Sequence, residues 1–248
     1  MTIFYFTGTG NSLFAARKIA DATNATLISI PQAIAEQRTY TDDAIGFVYP
    51  QYANGLPKMV RRFILNNDFK ADYIFAVDLY AFIHIGALGE IAGIIPLNYG
   101  VYLKTPNNFI FLFNPPKNPK AVLDKAESKL RQIINDINNR ITKPIKPKKA
   151  VGNATKYFGE AKYQITDSCT KCGTCVKVCP ANNINPNDKI VFDNNCETCY
   201  ACVNLCPVHA IYTKKSMLKR RQYHNPFVSV GEIVKANSVD NVLSESEV

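Results

Sequence analysis

All eight cysteines lie in the C-terminal third of the 248-residue chain, in two copies of one pattern. Each copy reads C-x2-C-x2-C-x3-C-P, first from Cys169 to Pro180 and again from Cys196 to Pro207. This is the bacterial spacing for 4Fe–4S clusters, in which the fourth cysteine of each run binds the other cluster. Because such clusters exchange single electrons, the pattern predicts redox chemistry. The crossed arrangement assigns one 4Fe–4S cluster to Cys169, Cys172, Cys175 and Cys206, and the second to Cys196, Cys199, Cys202 and Cys179.

Zinc, disulfides and free thiols each account for these cysteines less well. A structural zinc site needs four ligands, commonly two separate CxxC pairs, and would leave the third cysteine of each triple without a role. Disulfides need an oxidising compartment, and the first residues show no secretory signal pattern. Buried free thiols would not recur at one spacing. The sequence therefore favours iron–sulfur clusters in a reducing compartment, and we expect a cytoplasmic protein.

A second chemical motif lies near the N-terminus, between a predicted strand and a predicted helix. Glycine lets the backbone of such a loop curl so that its N–H groups face inward, and the helix N-terminus favours an anion. The loop lacks the lysine of an ATP-binding loop and the spacing of a dinucleotide-binding loop. It therefore predicts a site for a terminal phosphate, formed by Thr7, Gly8, Thr9, Gly10, Asn11 and Ser12.

The elements around this loop alternate between strand and helix, which predicts a parallel sheet covered on both faces. Apolar residues recur at helical spacing over residues 120–139. The predicted strands are 2–6, 26–30, 44–49, 73–79 and 99–104, the last extended by 109–113, and the predicted helices are 13–22, 57–66, 87–95 and 120–139.

The predicted domains follow from these elements. A Pro- and Lys-rich stretch marks a linker between two separately packed cores, and the 27-residue offset between Cys169 and Cys196 predicts an internal repeat. The boundaries are 1–141 for the sheet domain, 142–162 for the linker, 163–213 for the cluster domain and 214–248 for a C-terminal extension.

With these residues in view, the chain resembles flavodoxin–ferredoxin fusion proteins. T-G-T-G-N-S is similar to the FMN phosphate loop of flavodoxins, and the similarity extends to Tyr49–Pro57, Cys179–Ile184 and Arg221–Pro226. The resemblance implies an α/β flavodoxin-like, doubly wound parallel sheet in the order 2-1-3-4-5. It also implies FMN at the carboxyl edge of that sheet and an α+β two-cluster ferredoxin domain.

The resemblance also implies where the walls of the flavin site lie. Tyr52 is expected on one face of the isoalloxazine, since an aromatic ring offers stacking to a flat ligand. The second wall is expected after the fourth strand, where Tyr80, Phe82 and His84 are alternatives, and Asn107–Asn108 is a candidate for the rim. The expected flavin contacts are Pro50, Gln51, Tyr52, Ala53, Asn54, Gly55, Leu79, Tyr80, Ala81, Phe82 and Gly86.

The formal net charge of +9 is high enough to suggest that the protein binds nucleic acid. Bound clusters and a flavin phosphate offset much of it, and no groove with interleaved aromatic residues accompanies the basic cluster at Lys214–Arg221. We therefore expect redox partner proteins, docking through acidic surfaces, rather than nucleic acid. No stretch approaches the roughly 20 apolar residues that a membrane-spanning helix needs.

The sequence predicts an electron carrier that passes electrons between two 4Fe–4S clusters, an FMN and redox partners. No triad or carboxylate pair is present, so no catalytic residue is predicted. One alternative is an FMN-dependent reductase of a small molecule that uses the clusters as an internal wire. Another is a redox-sensing regulator that binds nucleic acid through Lys214–Arg221. We also expect Arg221–Ile233, with Tyr223, His224 and Phe227, to fold back between the two domains.

Overall fold

The computed structural model describes residues 1–53, 55–84, 86–149, 162–186 and 189–238. The strands are β1 (Thr2–Tyr5), β2 (Thr26–Ser29), β3 (Thr39–Thr41), β4 (Ala44–Pro50), β5 (Asp68–Lys70), β6 (Tyr73–Tyr80), β7 (Tyr99–Lys104), β8 (Gln164–Ile165), β9 (Ile184–Pro186), β10 (Ile190–Phe192) and β11 (Ile211–Tyr212). The helices are α1 (Asn11–Thr23), α2 (Ile30–Ala33), α3 (Lys58–Leu65), α4 (Ala87–Ala92), α5 (Pro119–Asn138), α6 (Thr174–Lys177), α7 (Ala201–Asn204) and α8 (Val230–Asn237), with a 3-10 helix at Lys215–Lys219.

Five parallel strands form the central sheet in the order β2-β1-β4-β6-β7. Counting only the strands of this sheet, the order is 2-1-3-4-5, so the predicted flavodoxin-like fold is confirmed. Phe4 lies opposite Phe47 in the register, and successive side chains of a strand point to opposite faces. Phe4 meets Phe63 of α3 at a ring-centroid distance of 5.1 Å, whereas Tyr5 lies beside Arg17 of α1. Helices therefore cover both faces of the sheet.

The chain after β7 differs from the prediction. The predicted strand extension over residues 109–113 is wrong, because these residues form turns, with the N–H of Phe113 donating to the carbonyl of Phe109 at 3.3 Å. The start of the predicted linker follows the edge of the sheet instead of leaving it. The N–H of Lys143 donates to the carbonyl of Asn98 at 2.7 Å, and Ile145 fills the space that a side chain at Gly100 would need.

The cysteine-rich part folds as a small α+β unit. Its antiparallel pairs are β8 with β11 and β9 with β10, and the short helices α6 and α7 each carry the third cysteine of one triple. This part has a buried apolar cluster of its own around Val203, but the prediction that the two cores pack independently is wrong, since Val178, Cys199, Ala201 and Leu205 belong to the same buried apolar cluster as the sheet domain. We therefore expect damage at the contact between the two parts to reach both of them.

No helix in the described residues is both long and apolar enough to cross a membrane.

Candidate functional site

The loop from Thr7 to Ser12 joins the carboxyl end of β1 to α1. Gly10 is the N-cap of α1, and its φ of 94° is a conformation that glycine adopts without strain. A β-carbon on Gly10 would also lie 3.0 Å from Val228 and 3.1 Å from Asn225. Because none of the described side chains caps this helix, its first-turn N–H groups are left for a ligand, and a helix N-terminus favours an anion.

A narrow cavity of about 50 Å³ lies beside this loop, at the carboxyl edge of the sheet. Four buried polar atoms on its lining have no hydrogen-bond partner in the described part of the chain: Oγ of Ser12, Oε1 of Gln51, the hydroxyl of Tyr52 and Nδ2 of Asn107. Buried polar groups are normally paired, so this lining suits a polar ligand such as the phosphate and ribityl chain of FMN. The lining residues are Thr7, Gly8, Thr9, Asn11, Ser12, Pro50, Gln51, Tyr52, Leu79, Tyr80, Ala81, Thr105, Pro106, Asn107 and Asn108.

The side chain of Asn11 holds the loop in place. Its Nδ2 donates to the carbonyl of Pro106 at 3.0 Å. Its Oδ1 accepts a hydrogen bond of 2.6 Å from the hydroxyl of Tyr223 and one of 3.1 Å from Nδ2 of Asn225. Asn11 thus has its backbone N–H to offer a ligand, whereas Ser12 has its free hydroxyl as well.

A larger cavity of about 300 Å³ adjoins the narrow one, with which it shares Gln51, Tyr52, Ala81, Asn107 and Asn108. Its lining is mostly apolar, and the volume lies at the lower end of the range for ligand pockets. This combination suits one flat, largely apolar ring system such as the isoalloxazine. The other lining residues are Ala53, Phe82, Ile83, Phe109, Leu112, Phe113, Thr198 and Tyr200.

Tyr52 lies between the two cavities in a tight turn. Its N–H donates to the carbonyl of Gly55 at 3.0 Å, and the N–H of Gly55 donates back at 3.1 Å. Between them, Ala53 has a φ of 50°, and the predicted contact Asn54 lies outside the described residues. Burial of the Tyr52 hydroxyl, with Cys199 next to it, raises the pKa of Tyr52 well above its ordinary value. The phenol therefore stays neutral and can donate a hydrogen bond.

The three candidate side chains for the second wall of the flavin site, at the end of β6 and in the loop after it, lie in different places. Phe82 lines the larger cavity and Tyr80 the narrow one. His84 packs on Tyr102 at a ring-centroid distance of 4.2 Å and contacts Tyr80 at 4.7 Å. The predicted contact Gly86 is the N-cap of α4. Of the three alternatives, Phe82 is thus the side chain placed to face a ring in the larger cavity.

Several lining residues have no signal in the sequence. Thr198 and Tyr200 lie inside the second cysteine run, yet they line the larger cavity beside Tyr52. Residues 109–113, which the sequence predicts as a strand, instead form part of the cavity wall. Both features depend on contacts between distant parts of the chain, which local patterns do not specify.

The first predicted set of cysteines surrounds one cavity. Cys169, Cys172, Cys175 and Cys206 all line it, between Ile165 and residues of the turn before α6. Cys172 is exposed and Cys206 is buried, so this site reaches the protein surface on one side. All four thiols are free of disulfides. The arrangement brings together the three thiols of the first triple and the last cysteine of the second run.

The second predicted set of cysteines is more deeply buried than the first. Cys199 and Cys202 are buried, and both interact electrostatically with Cys179 and Cys196. Cys179 belongs to the first run, so each run again contributes to both sets. Among the described residues, no three or more His, Cys, Asp or Glu side chains converge closely enough to hold a single metal ion.

The two cysteine runs have the same backbone conformation. The N–H groups of Asn183 and Ala210 each donate to a cysteine sulfur, Cys179 and Cys206 respectively, at 3.3 Å. These donors are 27 residues apart, as are the two runs, so the predicted internal repeat is confirmed. The same offset separates three pairs of residues that have a positive φ: Lys171 and Thr198, Gly173 and Tyr200, and Asn182 and His209.

Burial makes unbound thiolates unfavourable in this part of the protein. It raises the pKa of Cys175 to about 11 and the pKa of Cys179 above its ordinary value. The pKa values of the buried Cys199 and Cys202 are raised well above their ordinary value for the same reason. A bound metal reverses this preference, because a coordinating thiol is deprotonated. Closely grouped, buried thiols therefore fit metal-cluster ligands.

The second cysteine set packs on the loop from Thr7 to Ser12, the candidate phosphate loop. A β-carbon on Gly8 would lie 2.8 Å from the carbonyl oxygen of Cys199 and 3.2 Å from the hydroxyl of Tyr52. Asn108 joins the same groups, since its Nδ2 donates to Oγ1 of Thr9 at 3.1 Å and to the carbonyl of Cys199 at 3.3 Å. The two candidate cofactor sites therefore share a wall.

The C-terminal segment lies across both sites, as the sequence predicts for Arg221–Ile233. Nε2 of Gln222 donates to the carbonyl of Cys206 at 2.7 Å. The N–H of Asn225 donates to the carbonyl of Thr9 at 2.8 Å. The segment thus ties the first cysteine set to the phosphate loop, and the predicted fold-back is confirmed.

The C-terminal part of the chain matches a protein-family model. Residues 161–222 match the family model of the 4Fe-4S dicluster domain. No sequence of a curated protein matches the chain. A candidate flavoprotein from Bacteroides uniformis ATCC 8492 is 18% identical over 42% of this chain and 89% of its own, with a TM-score of 0.34. An azoreductase from Bacillus anthracis str. Sterne is 12% identical over 55% of this chain and 100% of its own, also with a TM-score of 0.34.

Since both structural similarities are low, the N-terminal assignment depends on the strand order and register described above. The C-terminal assignment depends on the family model and on the two cysteine runs. The chain therefore joins a flavodoxin-like domain to a 4Fe–4S dicluster domain.

Proposed function

We propose that the protein is a cytoplasmic electron carrier that holds two 4Fe–4S clusters and one FMN, and passes electrons between them and on to redox partner proteins. When bound, the clusters exchange single electrons and the flavin exchanges one or two. The chain supplies binding, spacing and tuning. No side chain has to act as a nucleophile or general base.

The contact between Gly8 and Cys199 carries this proposal. Cys199 belongs to the buried cysteine set, and its backbone packs directly on the phosphate loop. The other set reaches the surface through the exposed Cys172. This arrangement supports an ordered path, from a partner to the exposed set, then to the buried set and then to the flavin site, or the reverse.

The surface at the exposed set suits an acidic partner. Lys171 is exposed beside Cys172 in the turn before α6 and Lys177 is exposed at the end of α6, and Lys171 lines the same cavity as the cysteines. Asp167 is an exposed acidic residue close by in the sequence. Opposite charges on two carriers raise the rate at which they associate.

The FMN site is assigned to the two adjoining cavities. The hydroxyl of Ser12 and the first-turn N–H groups of α1 would hold the phosphate, and Gly10 lets the loop take its shape. Tyr52 and Phe82 would face the isoalloxazine and offer their aromatic rings for stacking. The unpaired Oε1 of Gln51 and Nδ2 of Asn107 are the polar groups available to the ring edge and the ribityl chain.

A small-molecule reductase is the second candidate function. The observation in its favour is the exposed apolar mouth of the larger cavity, formed by Phe82, Ile83, Leu112 and Phe113. However, a substrate chamber must hold a second molecule beside the flavin ring. A cavity of about 300 Å³ is at the lower limit for a single ligand, which favours the carrier.

Iron, labile sulfide, zinc and flavin measured on anaerobically purified protein test the proposal. We expect about eight irons and one FMN per chain, because the sequence provides two cubane sites and one phosphate loop. Stoichiometric zinc without sulfide would disprove the cluster assignment, and absence of flavin binding would disprove the FMN assignment. Multiple turnovers of a small-molecule oxidant that binds saturably would favour the reductase.

A further inference from the structure

The outer wall of the larger cavity is a loop of turns that follows β7. Residues 107–113 supply Asn107, Asn108, Phe109, Leu112 and Phe113 to the cavity lining. Within the loop, the N–H of Ile110 donates to the carbonyl of Asn108 at 2.9 Å. A wall of this kind needs support from other parts of the chain if it is to keep one conformation.

Two arginines support this loop from outside the cavity. Nη1 of Arg220 donates to the carbonyl oxygens of Ile110 at 3.0 Å and Phe111 at 2.9 Å. Nη2 of Arg221 donates to the carbonyl of Pro115 at 2.8 Å, and its N–H donates to Oδ1 of Asn114 at 3.1 Å. Hydrogen bonds from a charged donor are stronger than neutral ones. The guanidinium groups thus fix the backbone at residues 110, 111 and 115.

The arginines are in turn anchored to the cluster domain. Gln222, the next residue, donates through Nε2 to the carbonyl oxygens of Val203 and Cys206, each at 2.7 Å. The N–H of Tyr223 donates to Oδ1 of Asn204 at 2.9 Å. The support of the flavin wall is therefore attached to the short helix and turn that carry the cysteine ligands.

We propose that Arg220 and Arg221 are positioning residues for the flavin wall, through which the folded cluster domain sets the affinity for FMN. This inference rests on the proposed FMN site. It also gives part of the basic cluster Lys214–Arg221 a role other than docking, because the two arginines are engaged with backbone carbonyls. Lys219, which precedes them, is exposed.

FMN titration of flavin-free protein with intact clusters tests this proposal, using Arg220→Ala, Arg221→Ala and the double variant. We expect the double variant to bind FMN about tenfold more weakly or worse, which corresponds to roughly 1.4 kcal/mol, and to give a weaker visible circular dichroism signal from the bound flavin. Iron per chain should remain normal. Arg220→Lys, which keeps a charged donor, should restore part of the affinity.

Lys219→Ala is the matched control, because it removes a positive charge from the same segment and leaves the flavin wall supported. It should bind FMN as the wild type does. An unchanged dissociation constant and flavin signal in the double variant would overturn the proposal. If the double variant does not fold, an unchanged dissociation constant and flavin signal in Arg221→Ala, which replaces an exposed residue, would overturn the proposal. Failure of the wild type to bind FMN would instead disprove the proposed function.

Discussion

Gly8 of the Thr7–Ser12 loop and Cys199 of the second cysteine run lie so close together that the space beside Gly8 has no room for a β-carbon, although 191 positions separate them. A β-carbon on Gly8 would stand 2.8 Å from the carbonyl oxygen of Cys199 and 3.2 Å from its β-carbon. The absence of a side chain at Gly8 therefore lets the backbone at Cys199 approach, and it also leaves space for a phosphate at the proposed site. This contact joins the two candidate cofactor sites into one structure.

Gly8→Ala is expected to damage both sites. The added methyl group meets backbone, which cannot move aside as a flexible side chain would, and such overpacking costs about 1–3 kcal/mol. We expect weaker FMN binding together with a perturbed electron paramagnetic resonance signal from the reduced clusters. Gly231→Ala is the control, since the nearest atom to its β-carbon would be 3.9 Å away. Loss of FMN with an unchanged cluster signal would show that the contact is not tight.

Serine substitutions should separate the two cysteine sets. A hydroxyl is a poorer iron ligand than a thiolate, so Cys175→Ser and Cys199→Ser should each lower the iron content. We expect Cys175→Ser to retain FMN, whereas Cys199→Ser should lose much of it, because the loop that carries Cys199 packs on Gly8. Iron, flavin and visible absorbance per chain measure these effects. Equal loss of FMN in both variants would mean that the whole domain unfolds without either cluster.

Tyr163 provides a test of cluster tuning. Its hydroxyl lies 3.7 Å from Sγ of Cys196, and a thiolate bound to iron can only accept a hydrogen bond. Such a bond stabilises the more negative, reduced cluster, and hydrogen bonds to sulfur are among the factors that set cluster potentials. Tyr163→Phe should therefore lower the potential of that cluster. A neutral hydrogen bond contributes about 0.5–1.5 kcal/mol, which corresponds to roughly 20–60 mV for one electron.

The measurement is a redox titration followed by electron paramagnetic resonance, which resolves the two clusters. Tyr212→Phe is a suitable control, because it removes a hydroxyl from a half-buried tyrosine of the same domain. An unchanged potential in Tyr163→Phe, or an equal fall in both variants, would contradict the assignment of this hydroxyl to Cys196.

Local patterns in the sequence predict only those parts of the protein that short stretches of chain determine. Strand and helix alternation indicates the covered parallel sheet, the loop from Thr7 to Ser12 indicates the narrow cavity, and the cysteine spacing indicates two sets of thiols that the fold groups as expected. The larger cavity is only partly predictable. Its wall at residues 109–113 and its floor at Thr198 and Tyr200 depend on how two distant segments meet, and no short-range pattern specifies that.

The expectation that the two cores pack independently is wrong for the same reason. A Pro-rich stretch before residue 150 suggests a spacer, and composition is the usual guide to linkers. Yet Val178 and Leu205 of the cluster domain are buried with residues of the sheet domain. Apolar residues show from sequence that they will be buried, but not which surface will cover them.

Charge reversal at the exposed cysteine set tests the docking surface. Lys171→Glu and Lys177→Glu should slow electron transfer from an acidic one-electron carrier, and the wild-type rate should fall as ionic strength rises, since salt screens the attraction. Stopped-flow mixing at several salt concentrations measures both effects. Lys70→Glu, which makes the same change in net charge on the exposed strand β5, should leave the rate near that of the wild type. An equal fall in rate in all three variants would show that the rate depends on the overall charge of the protein and not on a docking surface at the exposed cysteine set.

The last prediction concerns transfer within one molecule. Cys199 packs on the phosphate loop, and Asn108 donates a hydrogen bond to its carbonyl while its side chain also reaches Thr9. The flavin site and the buried cysteine set are thus held together by short contacts within one chain, and transfer between them should not require a collision. After rapid photoreduction of the clusters, flavin absorbance should change at a rate that is independent of protein concentration. Asn108→Ala should slow this step, because it removes the side chain that ties Thr9 to Cys199, whereas Asn139→Ala, at the far end of α5, should not. A rate that rises in proportion to protein concentration would show that electrons pass only between molecules, and the internal path would be wrong.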